Sequence, residues 1–402
     1  MMAYTFYEAD NRVRRYAEAL ASRGDEVDAI VLRRPGQASF EIIRGVRVYR
    51  IQRRLIDEKG PLEYLLKLML FLARSSWTLL LRNLKRRYDL IHVHSVPDFE
   101  VFAALLPRLM GSKVILDIHD LVPEFYASKF GISDRSLVFR LLVWIEKLSA
   151  RGANHVIISN HLWYDTLTGR SVKPAKCTAI INYPDLSLFY RRPRSSQESA
   201  AEFALCYPGT LNRHQGVDVA INAVAMVRKT MPNVRFRIIG RGPERDKLQS
   251  MVQEQRLDDC VMISDAVPIE QIAAVMADTD LGIVPKRKDS FGNEAFSTKI
   301  MEFMAMGVPV VASDTRIDRY YFNDELVQFC ESGNAEDFAA KIVELARSPE
   351  KRDALRSNAS RFIEQNNWEV KKYEYFNLVD HLLGGRRYVH GPQDAESTSA
   401  AL

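Results

Sequence analysis

The stretch Pro285–Asp314, PKRKDSFGNEAFSTKIMEFMAMGVPVVASD, decides the fold of this chain. Leu281 to Pro285 (LGIVP) and Val308 to Ala312 (VPVVA) are short apolar runs punctuated by proline, and each reads as a buried parallel strand. Between them the sequence predicts one helix. Ser297 stands at its N-cap position, the helix runs from Thr298 to Met306, and Gly307 followed by Pro309 stops it. The free N–H groups of Ser297, Thr298 and Lys299 then favour an anion, with phosphate the natural guest. Glu294 lies in the preceding loop, and Glu302 follows Thr298 by one helical turn on the same face. A carboxylate is repelled by phosphate but accepts hydrogen bonds from sugar hydroxyls, so two carboxylates beside an anion site suggest a sugar attached to a phosphate. The alternative is a solvated acidic loop before a capped helix.

At 402 residues, 47% of them apolar, the chain is long enough for two cores. Cys177, Cys206, Cys260 and Cys330 are far apart and form no C-x-x-C pair, which indicates neither a disulfide framework nor a zinc site and fits a reducing cytosol. Met1 to Arg15 is polar and basic, unlike a signal peptide. Residues 1–195 hold 31 Lys and Arg against 20 Asp and Glu, a net of +11, and the remainder carries −6. A basic first half suggests an anionic partner there. With no zinc finger, RNA-recognition signature or basic run interleaved with aromatics, nucleic acid ranks below an anionic membrane or lipid phosphate.

Met1 to Phe6 is a possible first strand, Asp10 to Arg23 a helix closed by Gly24, and Val27 to Leu32 a strand; that order is a βαβ unit and implies a parallel sheet. Arg12, Arg14 and Arg15 either meet a phosphate on the acceptor side or form a solvated helix face. Pro61 to Arg87 carries an apolar stripe interrupted by Lys67, Arg74 and Arg82, so it is either buried core packing or a helix lying on an anionic bilayer. Asp89 to His94 and Lys113 to Ile118 are further buried strands. His119 and Asp120 follow the second of them, at the carboxyl edge where open α/β sheets collect ligands. Asn154 to Ser159 is another strand, and the polar, proline-containing Arg191 to Ala201 reads as a linker. A second βαβ series follows: strand Phe203 to Pro208, loop Gly209 to Gly216, helix Val217 to Lys229, and strands Val234 to Gly240 and Val261 to Val267. Asp278-Thr279-Asp280 has the spacing of a metal-binding pair but reads as a helix end before a buried strand.

The E-x7-E spacing of Glu294 and Glu302, with the M-A-x-G-x-P-V-V segment Met304–Val311, resembles the nucleotide-binding signature of retaining GT-B glycosyltransferases of the family 4 type. Asp117 to Glu124 (DIHDLVPE) and Asn11 to Leu20 resemble other segments of that family. The resemblance implies an α/β GT-B fold of two Rossmann-like βαβ domains with an interdomain cleft. Its domains are an acceptor domain (1–190), a nucleotide-sugar domain (191–367), a C-terminal helix returning to the first domain (368–384) and a mobile tail (385–402). It makes His119 and Glu294 the candidate catalytic residues. On the donor side it implies Gly209, Thr210, Arg213, Gly240, Val267, Phe296, Ser297, Thr298, Lys299 and Glu302, and on the acceptor side Arg12, Arg14 and Asp120. The activity implied is metal-independent transfer, with retention, of a hexose from a nucleoside-diphosphate sugar to a glycan or lipid-linked hydroxyl, without cofactor, at the cytoplasmic face of an anionic membrane. A nucleotide-sugar epimerase or hydrolase, or a catalytically idle nucleotide-binding subunit, is the alternative. Thr210 and Gln215 stand where the family usually carries Arg and Lys on the diphosphate, and Arg213, His214 or Lys299 is left to supply the charge.

Overall fold

The computed structural model describes residues 1–54, 61–193 and 202–385. The chain divides into two compact units, Met1–Asn182 with Lys372 onward, and Tyr183–Lys371. The division falls after Asn182 rather than after residue 190 because the next residues are tied to the second unit. There the Trp368 N–H donates to the Pro184 carbonyl (3.0 Å), and the Lys371 ammonium lies over the Tyr183 ring. Residues 194–201 of the expected linker and 386–402 of the expected tail lie outside the described residues.

The first unit is a sheet of β1 (Met2–Ala3), β2 (Asp28–Arg33), β3 (Phe40–Ile43), β4 (Val46–Arg53), β5 (Leu90–His94), β6 (Lys113–Ile118), β7 (His155–Ile158) and β8 (Cys177–Ala179) in the order β3-β4-β2-β1-β5-β6-β7-β8. All neighbours are parallel except β3 and β4, which form an antiparallel hairpin. The helices are α1 (Asn11–Arg23), α2 (Pro61–Lys85), α3 (Leu105–Leu109), α4 (Val122–Phe130), α5 (Leu137–Gly152) and α6 (His161–Arg170). α1 starts where its sequence says it should: the Asp10 carboxylate accepts from the Arg12 and Val13 N–H groups, and Gly24, at φ +100°, closes it in the left-handed region. The first strand is only two residues long, although the Thr5 carbonyl beyond it still accepts from the Leu32 N–H of β2 (2.9 Å).

The second unit is an all-parallel sheet of β9 (Phe203–Pro208), β10 (Val234–Ile239), β11 (Val261–Ser264), β12 (Leu281–Val284), β13 (Val310–Ser313) and β14 (Gln328–Cys330), ordered β11-β10-β9-β12-β13-β14. Its helices are α7 (Val217–Thr230), α8 (Arg245–Glu254), α9 (Ile269–Ala277), α10 (Thr298–Ala305), α11 (Arg316–Tyr321), α12 (Ala335–Arg347) and α13 (Pro349–Gln365). The order reverses at β9 and β12, where successive crossovers leave in opposite directions; ligands of open α/β sheets bind at such a point, beyond the strands' carboxyl ends. Leu205, Tyr207, Phe236, Ile238 and Ile283 fill the core against α7 and α12. The last helix, α14 (Trp368–Leu382), leaves the second unit and from Lys372 belongs to the first, where the Tyr375 hydroxyl lies 2.8 Å from His92 Nδ1. Asp280 is structural: its carboxylate accepts from the Ala204 N–H (2.8 Å), tying β12 to β9.

Candidate functional site

In the second unit the residues singled out by sequence gather around the start of α10. Ser297 occupies the N-cap position, but its hydroxyl makes no capping bond. It is buried, 4% exposed, and its Oγ has no partner among the described residues. A buried hydroxyl without a partner costs stability unless a ligand satisfies it, and the first-turn N–H groups beside it make the same demand.

Lys299 lies on that first turn. Its Nζ donates to Gln215 Oε1 (3.2 Å) and lies over the Tyr207 ring, 5.4 Å from its centroid. Its stem crosses Gly209 so closely that a Cβ there would come within 2.3 Å of Lys299 Cε. Gly240 in turn packs on Gly209, since a Cβ at Gly240 would sit 1.7 Å from the Gly209 carbonyl oxygen. A side chain at Gly240 would push the two loops apart, whereas one at Gly209 would displace the end of Lys299. The Tyr207 hydroxyl donates to the Thr210 carbonyl (2.8 Å) and lies 3.0 Å from Gln215 Oε1, which fixes the glutamine that holds Lys299. Lys299 thus brings a cation from α10 up to the β9–α7 loop, against Gln215. Burial pulls the Lys299 ammonium down to about 8, with the Glu302 carboxylate working the other way. The other two candidates are placed differently: Arg213 is exposed, and His214 turns its ring edge-on to Phe291. Burial lowers the proton affinity of His214.

The loop carrying Glu294 is braced from below by a pair that sequence reading missed. Lys286 and Asp318 form a buried ion pair (2.9 Å), and Lys286 Nζ also donates to the Ala295 carbonyl (2.7 Å). Glu294 itself accepts from Arg316 Nη1 (2.9 Å). The Phe296 ring packs on Tyr321 and Phe322 of the second unit, so only its backbone belongs to the loop's inner edge. Val267 follows β11 in the next loop.

In the first unit, β5 and β6 place His94 opposite Asp117. Alternation along β5 brings His92 to the same face, and the two rings stack at 4.1 Å. Asp117, fully buried, collects the polar contacts. Arg12 binds it through two parallel bonds (Nε to Oδ2, 2.7 Å; Nη2 to Oδ1, 2.8 Å), His94 Nδ1 is 3.1 Å away and His119 Nε2 3.3 Å. Burial is the largest single influence and opposes ionisation, but the Arg12 guanidinium together with His119 and His94 outweighs it and holds Asp117 well below the usual carboxylate range. His119 shows the converse: burial disfavours its imidazolium, the Asp117 charge overrides that, and its pKa lies above the ordinary histidine value. His94 is drawn down to about 4 by burial, the Asp117 contacts offsetting it only partly, so at neutral pH His94 is uncharged, whereas His119 is shifted the opposite way.

Two of the acceptor-side arginines have partners within the unit. Arg12 is 3% exposed, and its remaining donors go to the Ile180 carbonyl and Asn182 Oδ1; it is an internal cation with no face left for an acceptor. Arg14 pairs with Glu18 one turn along α1. Asp120 is half-buried beside His119, and burial raises its pKa. His92, His94 and Asp117 bring one potential metal-binding atom each within 4.8 Å of one another, but Asp117 already faces the fixed Arg12 charge with both oxygens.

Two family profiles cover most of the sequence: "Glycosyl transferase 4-like domain" over residues 9–182 and "Glycosyl transferases group 1" over 191–362. A putative colanic acid biosynthesis glycosyltransferase, WcaL of Salmonella typhimurium, is 26% identical over 54% of this chain and 53% of its own. The chain thus spans about half the length of the curated relatives it matches. Among solved structures, sucrose-phosphate synthase from Thermosynechococcus elongatus superposes with a TM-score of 0.78 at 22% identity, over 95% of this chain and 99% of its own. HepE of Anabaena, solved in complex with UDP and glucose, gives 0.71 at 16% identity, over 94% and 98%. Profiles, relatives and fold agree: this chain belongs to the glycosyl transferases group 1 family and has the GT-B fold.

Proposed function

We propose that the protein is a retaining glycosyltransferase that moves a hexose from a nucleoside-diphosphate sugar to a hydroxyl of a glycan or lipid-linked acceptor. The observation that carries this reading is the start of α10, where an unpartnered buried Ser297 hydroxyl, first-turn N–H groups and the Lys299 ammonium converge beside two close-packed glycines. Such a set suits a diphosphate, whose negative charge grows as the sugar leaves, because fixed dipoles and a buried cation stabilise developing charge more than ground-state charge. Glu302 takes the ribose hydroxyls and Glu294 the sugar. His119, whose imidazolium Asp117 favours, and Asp120 act in the first unit on the acceptor side. In the transfer the bond from C1 to the diphosphate oxygen breaks, the acceptor oxygen bonds to C1 from the same face, and the acceptor proton passes to the departing phosphate. The relatives' roles in polysaccharide synthesis support a glycan or lipid-linked acceptor, and the basic first half of the chain supports work at the cytoplasmic face of a membrane.

Lys299 and the helix N-terminus take the part a divalent ion plays elsewhere, so turnover should survive excess EDTA; loss of turnover restored by a divalent metal would overturn metal independence. Glu302→Ala should weaken nucleotide-sugar binding by about 1.5–3 kcal/mol, the scale of hydrogen bonds to a charged group. Calorimetric titration reads this, and unchanged affinity in a folded variant removes Glu302 from the ribose.

A further inference from the structure

We infer that the first unit docks on an anionic lipid bilayer through a continuous apolar and basic face built by α2, α3 and α5. α2 has two apolar stripes on opposite sides. Leu68, Phe71, Ser75 and Leu79 are buried, and Phe71 packs edge-on to Tyr4 of the sheet layer. The other stripe runs through Leu66, Leu70, Trp77, Leu81 and Leu84 at steps of three, four and seven residues and is open to solvent, Trp77 being 63% exposed. Glu63–Lys85 is long and apolar enough to cross a membrane, yet only 22% of its most apolar window is buried. Core packing accounts for one stripe and leaves the second without a role inside the unit. Crossing would tear the first stripe out of the core, so the helix lies on the bilayer with its outer stripe down.

α5 repeats the pattern. Glu146, Ser149 and Ala150 face inward, whereas Leu137, Leu141 and Trp144 face out, with Trp144 57% exposed. Both helices pack on the Asp98–Ala104 turn that leads into α3. α3 fills the gap with Leu105, Leu106 and Leu109, the last 77% exposed. Arg108 ties α3 to α5 through the Arg151 carbonyl, and Asn83 of α2 contacts Met110. Exposed large apolar side chains spread over three adjacent elements mark an interaction surface.

Charge selects the partner. Arg74 and Lys85 flank the outer stripe of α2, and Arg140, Lys147 and Arg151 flank that of α5. The acids of α2, α5 and the turn before α3 are withdrawn: Glu100 and Glu146 are buried, and Glu63 pairs with Lys67. Exposed cations beside exposed Trp and Leu match anionic headgroups above acyl chains; a second copy of the same face would set cation against cation.

The four tryptophans give a direct test, because Trp163 and Trp368 are 2% and 3% exposed while Trp77 and Trp144 are open. The full chain is mixed, without any nucleotide, with vesicles of phosphatidylglycerol and phosphatidylcholine carrying brominated acyl chains. Binding that weakens as salt rises, with quenching lost in Trp77→Phe/Trp144→Phe, is expected. Arg74→Gln/Arg140→Gln/Arg151→Gln should lower vesicle partitioning roughly a hundredfold while far-UV circular dichroism stays unchanged. Equal, negligible binding to anionic and neutral vesicles overturns the inference. So does binding that leaves Trp77 and Trp144 unquenched, or a dimer in sedimentation velocity that shields both. Because no donor is present, failure here leaves the glycosyltransferase reading intact.

Discussion

Lys299→Ala is expected to weaken nucleoside-diphosphate binding by about 3 kcal/mol, more than a hundredfold, the upper end of the range for hydrogen bonds to a charged group. The cation is half-buried, so its attraction for a diphosphate is less screened than that of an exposed lysine such as Lys288. A pH signature accompanies the loss. Burial sets the ammonium near 8 in the empty site, and a bound diphosphate raises it, so affinity is level below that pH and falls as pH rises through it. The variant should lack that alkaline limb. Titration calorimetry at neutral and alkaline pH checks both, and a variant with unaltered affinity and an unaltered limb would return the diphosphate to Arg213 or His214.

The second large effect lies in the first unit. Asp117→Ala should cost about 3–5 kcal/mol of stability in urea unfolding, because it strands the Arg12 charge in a buried site. Arg12→Met/Asp117→Leu should recover much of this, since removing both partners leaves no unpaired charge. The native pair also has a signed pH dependence. Asp117 is held well below its ordinary 3.8, so its contribution is present above that value and disappears as pH falls through its folded pKa. His119 runs the other way: its raised pKa adds stability below 6.5 that is lost as pH rises through the folded value. In Asp117→Asn the His119 titration followed by NMR should move to lower pH, and an unmoved titration would show that Asp117 does not hold its proton.

Much of this was legible in the sequence where local signals agreed. Lys113–Ile118 and Phe203–Pro208 are strands with the expected bounds because an apolar run, parallel pairing and burial on both faces coincide. The β3–β4 hairpin escaped because its inward positions on β4 are Val46, Val48, Arg50 and Gln52, so apolar alternation breaks halfway. Its turn was readable, since Arg44 and Gly45 both take positive φ, as a two-residue hairpin requires. Burial of Arg12 was illegible because Asp117, its partner, lies 105 positions away and is joined only by the sheet order. For the same reason sequence could name three candidates for the diphosphate cation, and the packing of Lys299 on Gln215, Tyr207 and Gly209, which favours it in the proposed reading, is a tertiary feature. The α2 stripe remained ambiguous because a helix with two apolar faces looks, in one dimension, like a helix with one broad face.

The central claim is transfer to an acceptor, and nucleoside-diphosphate release measured with and without acceptor tests it most directly. The protein is incubated with a panel of nucleotide sugars, alone and with lipid-linked glycans, and release and product mass are followed together. Release that depends on acceptor, with a product heavier by one hexose and retained anomeric configuration, is the expected result. Release without acceptor would make the protein a hydrolase or epimerase, and binding without any release would make it an idle nucleotide-binding subunit; either contradicts the claim.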